Sequence, residues 1–269
     1  MPPPISLDDS DRSLDLLWEH QLPVGLHRAA PVCSGEQILL SLADEGHPGG
    51  SGVICVDSRS GRLLWRMFTE TSVKNSVAAA SPGGSAKEDR ELCAAVTVAG
   101  RVYVLETESG QIRWQADLPG FPERWIYASP VIADRTVYAG ARSGYGAYDL
   151  ETGAQRWYTE IEGGDGFPCY ASPQVCEDLL IVLLQGRGLM ALDRQNGAVV
   201  WERELGVANP YARPAVAGDL LVSGSDAPNL HWFDGDPAYL AVLQVRSGEV
   251  FWNRPVLPSR YPTGLVVRE

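Results

Sequence analysis

The chain has 269 residues, with 22 Lys and Arg against 34 Asp and Glu, a formal charge of −12; nucleic-acid binders concentrate the opposite sign to displace counterions from phosphates, so that class is excluded. Hydrophobic residues make up 45% and charged residues 21%, the balance of a chain that buries a core and not of a disordered one. The longest aliphatic run, Leu179 to Leu184, falls far short of the roughly 20 residues of a membrane-crossing helix, so no membrane span is expected.

From the amino terminus, MPPPISLDDSDRSLDLLWEH contains neither a basic nor an apolar segment. A secretory signal is therefore not expected, and a cytoplasmic location is. Residues 5–7 and 14–20 read as a strand C and a strand D, the second carrying Trp18. One unit then recurs. Trp65, Trp114, Trp157, Trp201 and Trp252 each follow a glycine by four positions, as in Gly61-Arg-Leu-Leu-Trp65 and Gly197-Ala-Val-Val-Trp201, at intervals of 43 to 51 residues. Trp18 belongs to the same series, with Leu14 in the place of the glycine. That interval is the size of a propeller blade.

Each unit opens alike, on Ala29-Ala30-Pro31, Ala80-Ser81-Pro82, Ala128-Ser129-Pro130, Ala171-Ser172-Pro173 and Ala212-Arg213-Pro214. Within the fourth, PQVCEDLLIVLLQGRGLMALDRQNGAVVW divides into short aliphatic runs broken by Glu-Asp, Gln-Gly-Arg-Gly and Arg-Gln-Asn-Gly. Such runs are strands joined by tight turns, so each unit is predicted to be four antiparallel strands, A to D, with very little helix anywhere. Before each tryptophan stands a turn such as Asp57-Ser-Arg-Ser-Gly61 or Asp149-Leu-Glu-Thr-Gly153; the first side chain can bond the turn's own amides, and glycine supplies the positive φ that re-enters strand D. The tryptophan is expected to pack one sheet on the next, since a lone four-stranded sheet cannot bury both faces.

The full repeats run about 29–65, 80–114, 128–157, 171–201 and 212–252, within a single domain over residues 1–269. The ends left over, 5–20 and 261–268, are complementary and are expected to pair in one composite blade that hides both open edges, giving an all-β, six-bladed propeller. The pattern resembles the pyrroloquinoline quinone-type β-propeller repeat, which builds quinoprotein alcohol dehydrogenases and the cofactor-free propeller of the bacterial outer-membrane barrel-assembly lipoprotein. The resemblance implies the fold and leaves the function open, because the repeat is a scaffold shared by enzymes, sensors and docking modules. No cofactor is expected. The quinone enzymes have longer chains and a vicinal cysteine pair, whereas Cys33, Cys55, Cys93, Cys169 and Cys176 include no adjacent pair and no CxxC.

Strand direction puts the D-to-A and B-to-C loops on one face. There the residues just before each opener are aromatic or basic: His27 and Arg28, Lys74 and Asn75, Arg124, Trp125 and Tyr127, Tyr170, Tyr211 and Arg213, and Tyr261. The B-to-C insertions at 43–52 and 225–239 reach the same face, the second bringing His231 and Trp232; the insertion at 82–90 belongs to the opposite face. Insertions gathered on one face of a repeat protein mark its binding surface. Two roles stay open for the aromatic ring, a plug of the central channel or a grip on a ligand. No nucleophile elbow, phosphate loop or metal-spaced cluster occurs, Asp226, His231, Asp234 and Asp236 included. The reading is a non-catalytic module that docks a protein or peptide, with a small anionic or aromatic ligand possible. Its alternatives are a small propeller enzyme (quinone-dependent oxidoreductase, lyase or hydrolase) and a ligand-sensing domain.

Overall fold

The computed structural model describes residues 16–22, 24–27, 29–47, 49–80, 91–122, 125–161, 170–184, 188–205, 213–225 and 238–256. Among these residues, twenty strands form five four-stranded antiparallel sheets. The first holds β1 (Val32–Ser34), β2 (Gln37–Ala43), β3 (Ser51–Asp57) and β4 (Leu63–Phe68); the second β5 (Ala78–Ala79), β6 (Leu92–Val96), β7 (Arg101–Glu106) and β8 (Ile112–Asp117). The third holds β9 (Val131–Ala133), β10 (Thr136–Ala141), β11 (Gly144–Asp149) and β12 (Gln155–Glu160); the fourth β13 (Gln174–Cys176), β14 (Leu179–Leu184), β15 (Gly188–Asp193) and β16 (Val199–Glu204). β17 (Ala215–Ala217), β18 (Leu220–Ser225), β19 (Ala238–Gln244) and β20 (Val250–Val256) make the fifth. Strand order within each sheet follows the chain, and the first strands β1, β5, β9 and β13 of the first four sheets are neighbours in turn, so the sheets are blades of a β-propeller with strand A innermost. No helix occurs among the described residues.

Aliphatic runs become the middle strands because both their faces are covered. β14 is buried at all six positions, its residues shared between a core with Tyr138 and Trp157 of the third sheet and another with Leu221 and Leu243 of the fifth. The turns form as their composition dictates. In the first, the Asp57 carboxylate accepts the Ser60 amide at 2.8 Å and the Arg59 amide at 3.2 Å, and the five turn glycines adopt φ between 66° and 76°, a region costly to any residue with a Cβ.

Those glycines serve a second purpose. The rings of five tryptophans of the series lie across the turn glycine of the following sheet: Trp18 on Gly61, Trp65 on Gly110, Trp114 on Gly153, Trp157 on Gly197 and Trp201 on Gly248. A Cβ on the last four would meet ring carbons at 2.5 to 2.7 Å, closer than real contacts allow. Each indole Nε1 also donates to a carbonyl of that turn, those of Ser58, Thr107, Leu150, Arg194 and Val245, at 2.8 to 2.9 Å. The C-to-D pairing slips by one residue beside the tryptophan's partner in every sheet, a bulge that re-aims the side chain. Trp252, in the last described strand, makes no such bond among the described residues and is 38% exposed.

Two details depart from the sequence reading. Strand A of the second sheet is Ala78–Ala79, so its opener by position is Asn75-Ser76-Val77 and not Ala80-Ser81-Pro82. The position two before strand A builds a chain around the channel: the Ala30 amide donates to the Ser76 hydroxyl at 2.8 Å, Ser76 to Ser129 at 3.1 Å, and Ser129 to Ser172 at 2.9 Å. Secondly, residues 16–20 form no strand. Among the described residues they have no ladder partner; Trp18 docks through its side chain, and Leu16 and Leu17 are exposed. The rest of the expected composite blade, 5–15 and 261–268, and the insertion at 82–90 lie outside the described residues.

Candidate functional site

The D-to-A loop after β8 is held at its middle by Ile126, which is fully buried against Gly100 and whose amide donates to the Val98 carbonyl at 3.2 Å. Its neighbour Trp125 is 53% exposed, and its φ is 77°. A bulky residue in that left-handed region costs on the order of 1–3 kcal/mol and persists only where the surroundings enforce it.

Tyr127, on the other side of Ile126, gathers the mouth. Its ring centroid is 6.3 Å from that of Trp125, 5.2 Å from Tyr170 and 5.9 Å from His27, with the first two nearly parallel at 29° and 25°. Lys74 Nζ lies 5.9 Å from the same ring and 3.7 Å from Glu45 Oε1, which comes from the 43–52 insertion. Trp125, Tyr127, Lys74 and Glu45 border a cleft of about 540 Å³ whose other walls are Thr71, Val98, Ala99 and Pro122, within the size range of a small-molecule or side-chain site.

Arg101 braces this loop and is absent from the sequence reading. It grips Asp117 with two bonds of 2.6 and 3.1 Å, reaches Glu70 at 2.7 Å, and lies 4.7 Å over the Phe121 ring next to Pro122. Its hydrogen bonds to Asp117 push the guanidinium further up, beyond any loss from burial. A signal was available, for Arg101 opens strand C directly opposite Asp117 at the close of strand D, where opposite charges pair across a ladder.

Of the expected mouth residues, His27, Lys74, Trp125, Tyr127 and Tyr170 are brought together. Asn75 is not free to grip anything: it is 3% exposed and its Nδ2 donates to the Val96 carbonyl at 2.9 Å. Arg213 is exposed at the position that serine holds in three other sheets, without a contact to the aromatic group among the described residues. Arg28, Arg124, Tyr211, His231, Trp232 and Tyr261 lie outside the described residues. The arrangement offers stacking faces and an apolar floor, with its lysine and glutamate already paired.

The sequence matches the family of the outer membrane protein assembly factor BamB over residues 12–203 and 166–264. That factor from Alkalilimnicola ehrlichii is 30% identical over 169 residues, 60% of this chain and 42% of its own length. The one from Yersinia pestis is 25% identical over 243 residues, 85% and 58%. The chain thus spans about half the length of the curated relatives it matches. Among solved structures, BamB of Moraxella catarrhalis superposes with a TM-score of 0.60 at 19% identity, over 82% of this chain and 58% of that one. A quinohemoprotein alcohol dehydrogenase of Comamonas testosteroni reaches 0.64 at 17%, over 87% and 43%. At these identities the structures establish the propeller fold alone.

The relatives overturn the expected cytoplasmic location, which rests only on the opening residues: they are named for assembly of outer membrane proteins, a task at the outer membrane and not in the cytoplasm. The quinone of the dehydrogenases is not matched by the donor set at this mouth. It carries several carboxylates, whereas the described mouth turns toward the cleft one lysine, already paired with Glu45.

Proposed function

The chain belongs to the family of the outer membrane protein assembly factor BamB, and from that premise we propose that it is a non-catalytic docking propeller, engaging a protein or peptide through the face that carries its D-to-A and B-to-C loops. The observation that carries this reading is Trp125, a large aromatic side chain held exposed in a strained backbone conformation at the rim of a cleft. Interface anchors are of this kind, aromatic, pre-positioned and set in a pocket that excludes water around them. The relatives' name supports a protein partner, and the charge of −12 favours one with basic flanks.

Placing a photo-crosslinking side chain at Thr71, inside the cleft, and irradiating native cells should yield a protein adduct that the Trp125→Gly variant weakens. Adducts forming only from a control at Ile112, on the far side of the blade, would overturn the reading.

A further inference from the structure

We propose that the Trp125 cleft receives an uncharged, proline-containing stretch of extended peptide, an inference that rests on the docking reading and names its ligand class. Charge is the first argument. Lys74 and Glu45 stand 3.7 Å apart at the rim, so among the described residues that line the cleft the one cation and the one anion satisfy each other. An ionic guest would have to break that pair, whereas an apolar guest leaves it in place.

Surface chemistry is the second. The floor and sides are Val98, Ala99 and Pro122, and the rim is Trp125 and Tyr127. Aromatic-lined grooves of this composition take polyproline II segments, which need few backbone hydrogen bonds and lose little entropy because they are already extended. From Trp125 through Tyr127 to Tyr170 the rings step by 6.3 and 5.2 Å, a path along which a chain rising about 3.1 Å per residue lays two residues per ring. The volume of about 540 Å³ accommodates a few side chains and no folded element. Beyond the cleft, the net charge of −12 favours basic residues flanking the prolines.

The test uses the full chain with tryptophan labelled by ¹⁵N and a blocked octapeptide, Arg-Pro-Leu-Pro-Pro-Leu-Pro-Arg. The Trp125 indole resonance is expected to shift and saturate, the same peptide with glycine for proline to bind at least tenfold more weakly, and Trp125→Gly, titrated with the peptide in a calorimeter, to bind at least tenfold more weakly at unchanged melting temperature. Glycine occupies a φ of 77° without strain, so that variant removes the ring and spares the backbone. If an acidic peptide or inorganic phosphate shifts the cleft resonances instead, the ligand class is wrong and docking at this face stands. If none of the three probes shifts them, the proposal is overturned, and the crosslink at Thr71 judges the docking reading separately.

Discussion

Trp157 and Trp125 are the same residue put to opposite uses. Trp157 is 8% exposed, its ring lies on Gly197 and its Nε1 bonds the Arg194 carbonyl. Trp125 is 53% exposed and held in a conformation its own side chain disfavours. The first is specified by a partner without a Cβ at one fixed spot, repeated from sheet to sheet. The second stands beside Ile126, which is fully buried and anchors the loop while its neighbour faces outward. What the contrast teaches is that the fold spends tryptophan between its sheets, where stability is made, and again at the mouth, where no stability is gained.

The largest effect should come from the sheet joints. Trp157→Ala should cost about 3–5 kcal/mol, as a large core side chain truncated to alanine does. Gly197→Ala should cost at least about 1–2 kcal/mol from handedness alone, before the displaced ring is counted. Chemical denaturation measures both; an unchanged midpoint for either would break the account of the joints.

Trp252 sharpens the comparison from within the series. Being 38% exposed, it should cost clearly less than Trp157 when replaced by alanine, no more than about 1–2 kcal/mol. If the turn before Trp18 is what Trp252 meets in a composite blade, Leu14→Gly should raise the melting temperature, because the other five joints all require glycine there. A fall would show that the last joint is built otherwise.

Acid should attack the turns next. The Asp149 carboxyl is held well below its ordinary value of 3.8, chiefly by the Arg156 hydrogen bond and then by the Thr152 and Glu151 amides, which together outweigh burial. A carboxyl whose folded pKa is depressed stabilises the fold above its unfolded pKa, and that contribution is lost as pH falls from about 4 toward the folded value. Wild type should therefore lose stability below pH 4 more steeply than Asp149→Asn; parallel pH profiles would rule the turn out as a source of acid sensitivity.

Smallest on stability is Trp125→Gly, expected within about 0.5 kcal/mol of wild type as a surface change that also relieves strain. Thiol labelling gives a last, qualitative check. Burial pushes Cys55 up to about 11 and Cys93 up to about 12, so a disulfide reagent should modify exposed Cys33 in the folded protein and those two only after unfolding.

The fold was legible because its joints leave a signature that cannot be faked: a ring needs a missing Cβ, so glycine and tryptophan recur together. Even the second unit, where the Ala-Ser-Pro pattern misplaced strand A, kept its glycine and tryptophan in register. The mouth was half legible. Aromatic side chains before most of the A strands announced a cluster, and His27, Trp125, Tyr127 and Tyr170 form one. Sequence does not show whether a polar group is already spent, so Lys74 and Asn75 read as grips although one pairs with Glu45 and the other holds Val96. Arg101 escaped because its partners Glu70 and Asp117 stand 31 and 16 residues away.

The five tryptophans from Trp18 to Trp201 that meet a glycine reach forward, onto a turn that lies 39 to 47 residues further along the chain. During synthesis at about 5–20 residues per second, every finished sheet therefore waits on the order of seconds with its indole uncovered until the next glycine turn emerges. These joints all point in one direction, and the moment of greatest exposure travels along the nascent chain one blade behind its growing end.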